Sequence, residues 1–189
     1  MDFRTRYESA SFDLISGHAH YEDVIEAVLR AEVSVWIATA NLKGLMVQGR
    51  RRGRYLSIVR ELDRLAKRGV ELRILHASLP SRPFRSEFDR HPGLMRRLEL
   101  RMCPRVHSKI ILVDGGLLYL GSANWTGAGL GAKGSDRRNF ELGIISRDEQ
   151  MIDQVQAYYE QLWRGGPCAR CRMRRECEFP LDLLSRPAV

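Results

Sequence analysis

The chain contains 189 residues, and 44% of them are hydrophobic, which suits one domain with a substantial core rather than two. No stretch approaches the roughly 18 apolar residues of a membrane span, and the first residues lack the apolar segment of a secretory signal, so we expect a cytoplasmic protein. The net charge of +8 favours a polyanionic partner, with nucleic acid ahead of an anionic membrane.

Helices and strands are predicted to alternate through the first half of the chain. Apolar residues recur at helical spacing over 18–31 and 55–68, whereas 33–39 and 70–75 are short apolar or alternating runs typical of strands. A loop rich in Pro and Arg, a short helix near 93–98 and a strand at 99–102 follow. Alternation of this kind predicts an α/β fold with a central sheet.

The most informative segment is 107–124. It reads His-Ser-Lys, then four apolar residues and Asp114, and after six more residues Gly-Ser-Ala-Asn. The apolar run 110–113 predicts a buried strand, 115–116 a hairpin turn, and 117–120 the returning strand.

Residues in this segment combine into a pattern with chemical meaning. Alternation along a strand places His107 and Lys109 on one face, and Ser122 and Asn124 arrive at the end of the returning strand. An imidazole, a cation and short polar donors at one point supply what phosphoryl transfer requires: a nucleophile or proton carrier, charge neutralisation and hydrogen bonds. Each piece alone is common in ordinary strands and turns, but the combination at fixed spacing favours a functional site.

A strand at 140–146 and an amphipathic helix at 149–163 complete the predicted core. Helices between strands that pair side by side indicate a central mixed sheet flanked by helices on both faces. We predict that residues 1–166 form one domain and that 167–189 form a tail rich in Cys and Arg.

At these positions the sequence resembles the phospholipase D superfamily, whose HKD motif is matched by His107, Lys109, Asp114, Gly121, Ser122 and Asn124. The resemblance covers about residues 8–163 and implies an α-β-α sandwich. It implies that His107 attacks phosphorus to give a phosphohistidine and that Lys109 and Asn124 hold the phosphate oxygens. Ser122 would join them in binding the substrate, and catalysis would require no metal cofactor.

Two acidic residues complete the implied site. Asp114 would be a structural or supporting residue. Glu141 falls where members of the superfamily place a carboxylate that orients the nucleophilic histidine, which agrees with the physics, because an acceptor on the far ring nitrogen fixes the tautomer and stabilises the imidazolium. Without the resemblance, Glu141 could equally be a surface residue of a strand.

Larger members of the superfamily carry two HKD motifs in one chain, whereas this chain carries one. A second imidazole is needed because one becomes bonded to phosphorus while another protonates the leaving oxygen and then activates water. A two-fold homodimer solves the problem by placing His107 of each subunit on opposite sides of one phosphate. Small one-motif members of the family work in this way, so we expect a homodimer.

The cysteines form a second pattern, with Cys103 upstream and Cys168, Cys171 and Cys177 in the tail. Three thiols within ten residues of an otherwise Cys-poor cytoplasmic chain favour metal over disulfide. The spacing resembles the iron–sulfur staple of some RecB-like nucleases, and zinc satisfies the same four thiolates equally well. Free or partly oxidised thiols are the alternative; a metal or cluster would tie the tail onto the core beside His107.

Two basic segments could contact a substrate. The arginine-rich loop at 49–54 could grip phosphates at the mouth of the site, or it could simply be solvated. Segment 81–85 interleaves Phe84 with arginines, and a loop anchored by Phe84 is preferred there over a segment that stacks a base.

These patterns predict a dimeric phosphodiesterase that acts on DNA or RNA. The first alternative keeps the chemistry and changes the substrate to a phospholipid, for hydrolysis or phosphatidyl transfer; the lack of an apolar surface helix argues against it. The second alternative is a nucleic-acid-binding protein whose motif is vestigial. The intact His107 and Lys109 argue against that, because binding alone does not require both.

Overall fold

The computed structural model describes residues 3–49 and 53–184. Its strands are β1 (Phe12–Ser16), β2 (Ser34–Thr39), β3 (Met46–Gln48), β4 (Tyr55–Ser57), β5 (Glu71–His76), β6 (Leu98–Met102), β7 (Ile110–Val113), β8 (Leu117–Gly121) and β9 (Leu142–Ser146). Seven of them form one mixed sheet in the order β1-β9-β8-β7-β2-β5-β6, and β3 pairs with β4 in a separate hairpin. In the large sheet β2, β5 and β6 run parallel, and the other neighbouring pairs are antiparallel.

Helices cover both faces of this sheet. They are α1 (Glu26–Arg30), preceded by a π-helical segment (His20–Ile25), then α2 (Ile58–Lys67), α3 (Arg82–Phe88), α4 (Pro92–Met95), α5 (Glu149–Trp163) and α6 (Leu181–Leu184). Within the described residues no helix is both long enough and apolar enough to cross a membrane. The arrangement confirms the α/β sandwich predicted from the sequence.

The core consists of two apolar clusters, one on each face of the sheet. The first contains Val24, Ile58 and Leu62 from the helices that precede β5, and the second contains Tyr159 and Trp163 of α5. β7 separates them, because its alternating residues enter different clusters and all four are buried. A run of four apolar residues is therefore what this central strand requires, as the sequence predicted.

Local signals fix the two longest helices. The Ser57 hydroxyl accepts a hydrogen bond from the Val59 amide at 3.2 Å at the start of α2, and the Asp148 carboxylate accepts one from the Met151 amide at 2.9 Å at the start of α5. Each cap satisfies an N–H group that the first helical turn leaves without a partner. The predicted limits of α5 are confirmed.

Several elements differ from the sequence predictions. The edge strand β1 and the short strand β3 were not predicted, and residues 55–57 form a strand rather than the first turn of α2. Segment 81–85 lies largely in α3 instead of a loop, although Phe84 anchors it as expected, with 1% of its surface exposed. Ser81 caps this helix and Pro83 occupies its first turn, where proline costs no hydrogen bond.

The tail folds back onto the face of the sheet that α5 covers. Leu181 is buried in the second apolar cluster, and Arg174 forms an ion pair with Asp182 within the tail. The described tail residues contain only a short 3₁₀ turn at Cys168–Arg170 and α6. The division at residue 166 stays a prediction, but the tail contacts the preceding core through Leu181 and Cys168.

Candidate active site

The site lies at one end of the sheet, where β2, β7, β8 and β9 start or finish. β2 runs antiparallel to β7, so Thr39 at the end of β2 lies beside Lys109, just before β7. β8 returns antiparallel to β7, and the Gly121 amide donates to the Lys109 carbonyl at 3.2 Å. β9 then pairs with β8 through Gly143 and Gly121. The backbone pairing alone therefore brings Lys109, Gly121 and the start of β9 together.

Lys109 contacts His107 directly. Its Nζ lies 2.6 Å from the His107 carbonyl oxygen and 3.1 Å and 3.3 Å from the two ring nitrogens, Nδ1 and Nε2. The ammonium can donate to a ring nitrogen only if that nitrogen carries no proton. Lys109 is 7% exposed, and its burial lowers the pKa of the amine, an effect that the Glu141 charge opposes. The cation and the exposed imidazole thus converge, as the spacing predicted, although both precede β7.

Asn124 is held by its side-chain oxygen. Oδ1 accepts hydrogen bonds from the Ala40 and Asn41 amides, both at 3.1 Å, and lies 3.3 Å from the Thr39 hydroxyl. The Thr39 hydroxyl also accepts from the Trp125 amide at 3.0 Å. Among the described residues the Asn124 Nδ2 group has no hydrogen-bond partner, so the amide donors are left for a substrate oxygen.

Ser122 and Glu141 form a pair across β8 and β9. The Ser122 hydroxyl donates a short hydrogen bond to Glu141 Oε2 and accepts one from the Leu142 amide at 3.1 Å. The other carboxylate oxygen accepts from Asn139 Nδ2 at 3.0 Å. The predicted contact between Glu141 and His107 does not occur within the chain, because the described partners of the carboxylate are Ser122 and Asn139.

Asp114 lies at the other end of β7, away from His107 and Lys109. Its carboxylate accepts hydrogen bonds from the backbone amides of Glu32, Val33 and Ser34 at 2.8–3.2 Å. Its φ of 53° starts the turn from β7 to β8, a conformation that Asp tolerates better than most residues. The geometry agrees with the structural role implied by the resemblance and gives Asp114 no contact with the reacting groups.

Three supporting residues were not foreseen from the sequence. Thr39 is 1% exposed and connects β2 to the Asn124 loop, while His20 and Tyr119 pack edge to face beneath the site. Burial raises the pKa of Tyr119 to about 12, with the Glu141 charge adding to it, and burial lowers the pKa of His20. No local sequence signal marks these residues, because pairing between distant strands creates their contacts.

Glycine at position 121 permits the close approach of β8 and β9. A Cβ atom there would lie 2.5 Å from the Tyr119 hydroxyl and 2.7 Å from Gly143 Cα, closer than real Cβ contacts. Glycine at position 121 is therefore a steric requirement of the strand pairing that brings Ser122 to Glu141.

All four cysteines lie around one small cavity next to this end of the sheet. The cavity has a volume of about 30 Å³ and is lined by Cys103, Cys168, Cys171 and Cys177. All four are free thiols, and Arg105 Nη1 donates to Cys171 Sγ at 3.5 Å, which lowers the pKa of that thiol. Within the described residues, however, no three His, Cys, Asp or Glu side chains are placed to hold an ion as they stand.

The arginine-rich loop does not reach the site in the part that the structure describes. Arg50, Arg51 and Arg52 lie outside the described residues. Gly49 and Arg54 border a cavity of about 650 Å³ together with Arg30, the last residue of α1. The predicted phosphate grip at the mouth of the site gains no support from these flanking residues.

Comparison with known proteins agrees with this fold. Residues 24–163 match the family model described as the PLD-like domain of cardiolipin synthase. Cardiolipin synthases of Staphylococcus aureus are 28% identical over 120 residues, which cover 57% of this chain and 23% of the relative. The chain therefore spans about a quarter of the length of these curated relatives.

Solved structures share the architecture at lower identity. NucT from Helicobacter pylori superposes with a TM-score of 0.59 at 17% identity, covering 81% of this chain and 95% of NucT. Nuc from Salmonella typhimurium, a phospholipase D family member, gives 0.56 at 17% identity, with 82% and 95% covered. The archaeal chromatin protein TrmBL2, described with a novel mode of DNA binding, gives 0.55 at 13% identity, with 85% and 54% covered.

A mixed sheet with an HKD pair at the ends of its central strands defines a phospholipase D-type domain. The match over residues 24–163 covers most of the chain. The chain belongs to the phospholipase D superfamily, in the family of cardiolipin synthase PLD-like domains.

Proposed function

We propose that the protein is a phosphodiesterase that acts through a phosphohistidine intermediate on nucleic acid. The observation that carries the proposal is the contact of the buried Lys109 ammonium with the His107 ring, at the sheet end where the Asn124 amide donors are free. A nucleophile, a cation and amide donors around one point match the charge of a phosphoryl group in transfer.

In this mechanism His107 attacks phosphorus and the bond to the leaving oxygen breaks, so that a nitrogen–phosphorus bond replaces it. Lys109 and Asn124 stabilise charge on the non-bridging oxygens. A second imidazole donates a proton to the leaving oxygen, and then takes one from the water that cleaves the phosphohistidine and restores His107. Lysine and amide groups supply the charge stabilisation, so the proposal assigns no catalytic metal.

We propose that the second imidazole comes from a second copy of the chain. Phe12, Leu14, Leu120 and Leu142 lie on the face of the sheet that α5 only partly covers, and they are 37–66% exposed. Register places Leu14, Ile144 and Leu120 side by side across β1, β9 and β8. This apolar face continues to Ser122 and Glu141, so a partner seated on it would adjoin the site.

Glu141 has a consistent place in such a dimer. Within one chain it is held by Ser122 and Asn139 rather than by His107. A carboxylate fixed where the apolar face meets the site is positioned to accept a proton from the imidazole of the second copy. The orienting role predicted for Glu141 would then be exercised across the interface.

Nucleic acid is the favoured substrate because the chain is strongly basic, with a net charge of +8. The binding of DNA described for TrmBL2 concerns a protein of the same fold and lends limited support. A phospholipid is the second candidate, and the specific observation in its favour is the match to cardiolipin synthase domains. The two candidates share the proposed chemistry and differ in what flanks the phosphate.

The test compares plasmid DNA, single-stranded DNA, RNA and phosphatidylglycerol vesicles as substrates, in a brief incubation with chelator. We expect cleavage of a nucleic acid by the wild type, none by His107→Ala, and normal cleavage by His91→Ala, which removes a histidine on the outer helix layer. Cleavage of the lipid alone would change the substrate class. Nucleic-acid binding without turnover by the wild type would favour the vestigial alternative, and strict dependence on divalent metal would contradict the covalent mechanism.

The dimer has its own test. Mixing His107→Ala subunits with the wild type should give heterodimers that are largely inactive, because each shared site needs two imidazoles. Leu14→Glu should produce monomers that are inactive, while Val33→Glu, an equally exposed apolar position at the opposite end of the sheet, should stay dimeric and active. Full activity of a demonstrated monomer would contradict the proposal.

We also propose that the four cysteines bind one zinc ion. The only four cysteines of the chain come from segments far apart in sequence, yet all line one cavity. The cavity of about 30 Å³ between them has room for a single ion. The thiols must move together to coordinate the ion, since no three of them are placed to do so in the described structure.

A further inference from the structure

A second cavity, of about 290 Å³, lies beside His107 and is built from two parts of the chain. Val106, Ser108, Tyr158 and Leu162 come from the domain that matches the family model, whereas Leu181 comes from the tail beyond it. The tail therefore completes a pocket that the family domain alone would leave open. We call it the tail pocket.

The walls of the tail pocket are mostly apolar. Val106 and Leu181 are buried in the core, and Tyr158 and Leu162 pack against the same cluster. The Tyr158 ring is also held edge to face by Phe3, with ring centroids 6.0 Å apart. Pockets that bind small organic groups have this composition, with few polar groups placed among apolar and aromatic side chains.

The polar groups of the tail pocket are Ser108, Arg105, His107 itself and the thiols of Cys103, Cys168 and Cys171. The Ser108 hydroxyl is buried and has no hydrogen-bond partner among the described residues. Buried hydroxyls are nearly always paired, so this group has bonding capacity that a ligand can satisfy. Arg105 is exposed and brings a cation to the same pocket.

The size and position of the tail pocket restrict the kind of ligand that it can bind. A volume of about 290 Å³ is at the small end of the range for ligand pockets, which suits one planar heterocycle and not the paired acyl chains of a phospholipid. Because His107 lines the pocket, its ligand would be joined to the phosphate under attack. An aromatic wall, an unpaired hydroxyl and a nearby cation are groups that recognise a nucleobase.

We propose that the tail pocket binds the nucleobase next to the scissile phosphate, an inference that rests on the proposed nuclease function. The tail would then select single-stranded substrates, because a base in a duplex is stacked and paired and cannot enter the pocket. Cleavage should accordingly depend on the presence of a base at that position, beyond the recognition of the sugar and phosphate.

The test measures kcat/KM for a single-stranded oligodeoxynucleotide and for one of equal length that lacks bases. We expect the wild type to prefer the substrate with bases by about tenfold, since stacking on a protein side chain favours binding to that extent. Leu162→Trp fills the pocket and should reduce the preference to near one without slowing cleavage of the abasic substrate. Leu162→Ala, the matched control, enlarges the pocket and should keep most of the preference.

Ser108→Ala provides a second variant whose folding is not in doubt, because it removes a hydroxyl that has no partner. It should lower the preference for the substrate with bases several-fold, with an unchanged melting temperature. Equal cleavage of both substrates by the wild type and by all variants would reject the proposed binding of a base in the tail pocket. It would leave the nuclease proposal intact. Failure of the wild type to cleave either nucleic acid would instead reject the nuclease proposal.

Discussion

The end of the sheet and the tail hold their functional residues in different ways. Lys109 and Asn124 are placed by strand pairing and by hydrogen bonds to backbone amides. The tail, in contrast, contains little regular structure and is held by individual side chains such as Leu181 and the Arg174–Asp182 ion pair. The stability of the sheet end should therefore depend little on a single side chain of the site, whereas the stability of the tail should respond to a bound ion or to the loss of one contact.

The largest effect is expected at the sheet end. His107→Ala should lower kcat by at least about 10³-fold, because it removes the covalent intermediate. The melting temperature should change little, since the His107 side chain is exposed. Rate measurements and thermal unfolding on the same sample check both parts, and substantial residual turnover would show that another group forms the intermediate.

In the tail, by contrast, we expect a substitution to lower the stability of the protein. Cys177→Ser, which changes a ligand far from the reacting groups in sequence, should abolish zinc binding and lower the melting temperature by roughly 4–8 °C, the shift that a loss of about 2 kcal/mol produces in a chain of this size. Elemental analysis should find one zinc per chain in the wild type and none in the variant.

Controls distinguish the effect of losing the metal from the effect of losing the thiol. Prolonged chelation of the wild type should reproduce the lower melting temperature, and Cys177→Ser should not respond to it. Brown anaerobic protein with broad visible absorption would indicate an iron–sulfur cluster instead of zinc. Four free thiols with no metal in freshly purified protein would contradict the proposed centre.

A smaller effect on stability is expected at the far end of β7. Asp114→Ala removes the acceptor of three backbone amides and should cost about 1–3 kcal/mol, with kcat nearly unchanged. Asp114→Asn keeps an acceptor and tolerates the positive φ, so it should cost less. Chemical denaturation of the wild type and of both variants measures this order of stability. A large loss of kcat in Asp114→Asn at full stability would mean that the carboxylate takes part in catalysis.

The smallest effect concerns the pH dependence of the sheet end. Burial lowers the pKa of Lys109, so its ammonium loses its proton at a lower pH than an ordinary lysine. Activity that needs the cation should then decline on the alkaline side before the ordinary lysine pKa of about 10.4 is reached. Lys109→Arg should be slower but should lose this decline, because arginine stays protonated. An unchanged alkaline decline in the variant would assign it to another group.

How well each helix or strand could be predicted from the sequence depended on how its residues are buried. β7 and α5 were predicted with their observed limits, because β7 is apolar on both faces and α5 has a clear amphipathic period. The edge strand β1 was missed because four of its five residues are exposed, so burial leaves no alternating pattern. Residues 55–57 were assigned to a helix because three residues carry too little periodicity to compete with the helical pattern that follows.

How well each contact of the site could be predicted depended on how far apart its residues lie in the sequence. His107 and Lys109 are two residues apart, so local geometry brought them together as expected. Ala40 and Asn41, which anchor Asn124, lie 84 and 83 positions before it in the sequence, so no local pattern contains this contact. The Ser122–Glu141 pair likewise required the register of β8 and β9, which glycines 121 and 143 permit sterically.

The fixed Asn124 oxygen has a thermodynamic consequence for substrate binding. An asparagine with three candidate donors on one oxygen has already lost most of its rotational freedom when the protein folds. Immobilising a side chain during association otherwise costs about 0.5–1.5 kcal/mol of entropy, and this residue incurs little of that cost when phosphate arrives. Thr39→Ala and Asn124→Ala should therefore differ calorimetrically: the first should make phosphate binding entropically less favourable, while the second should remove binding enthalpy.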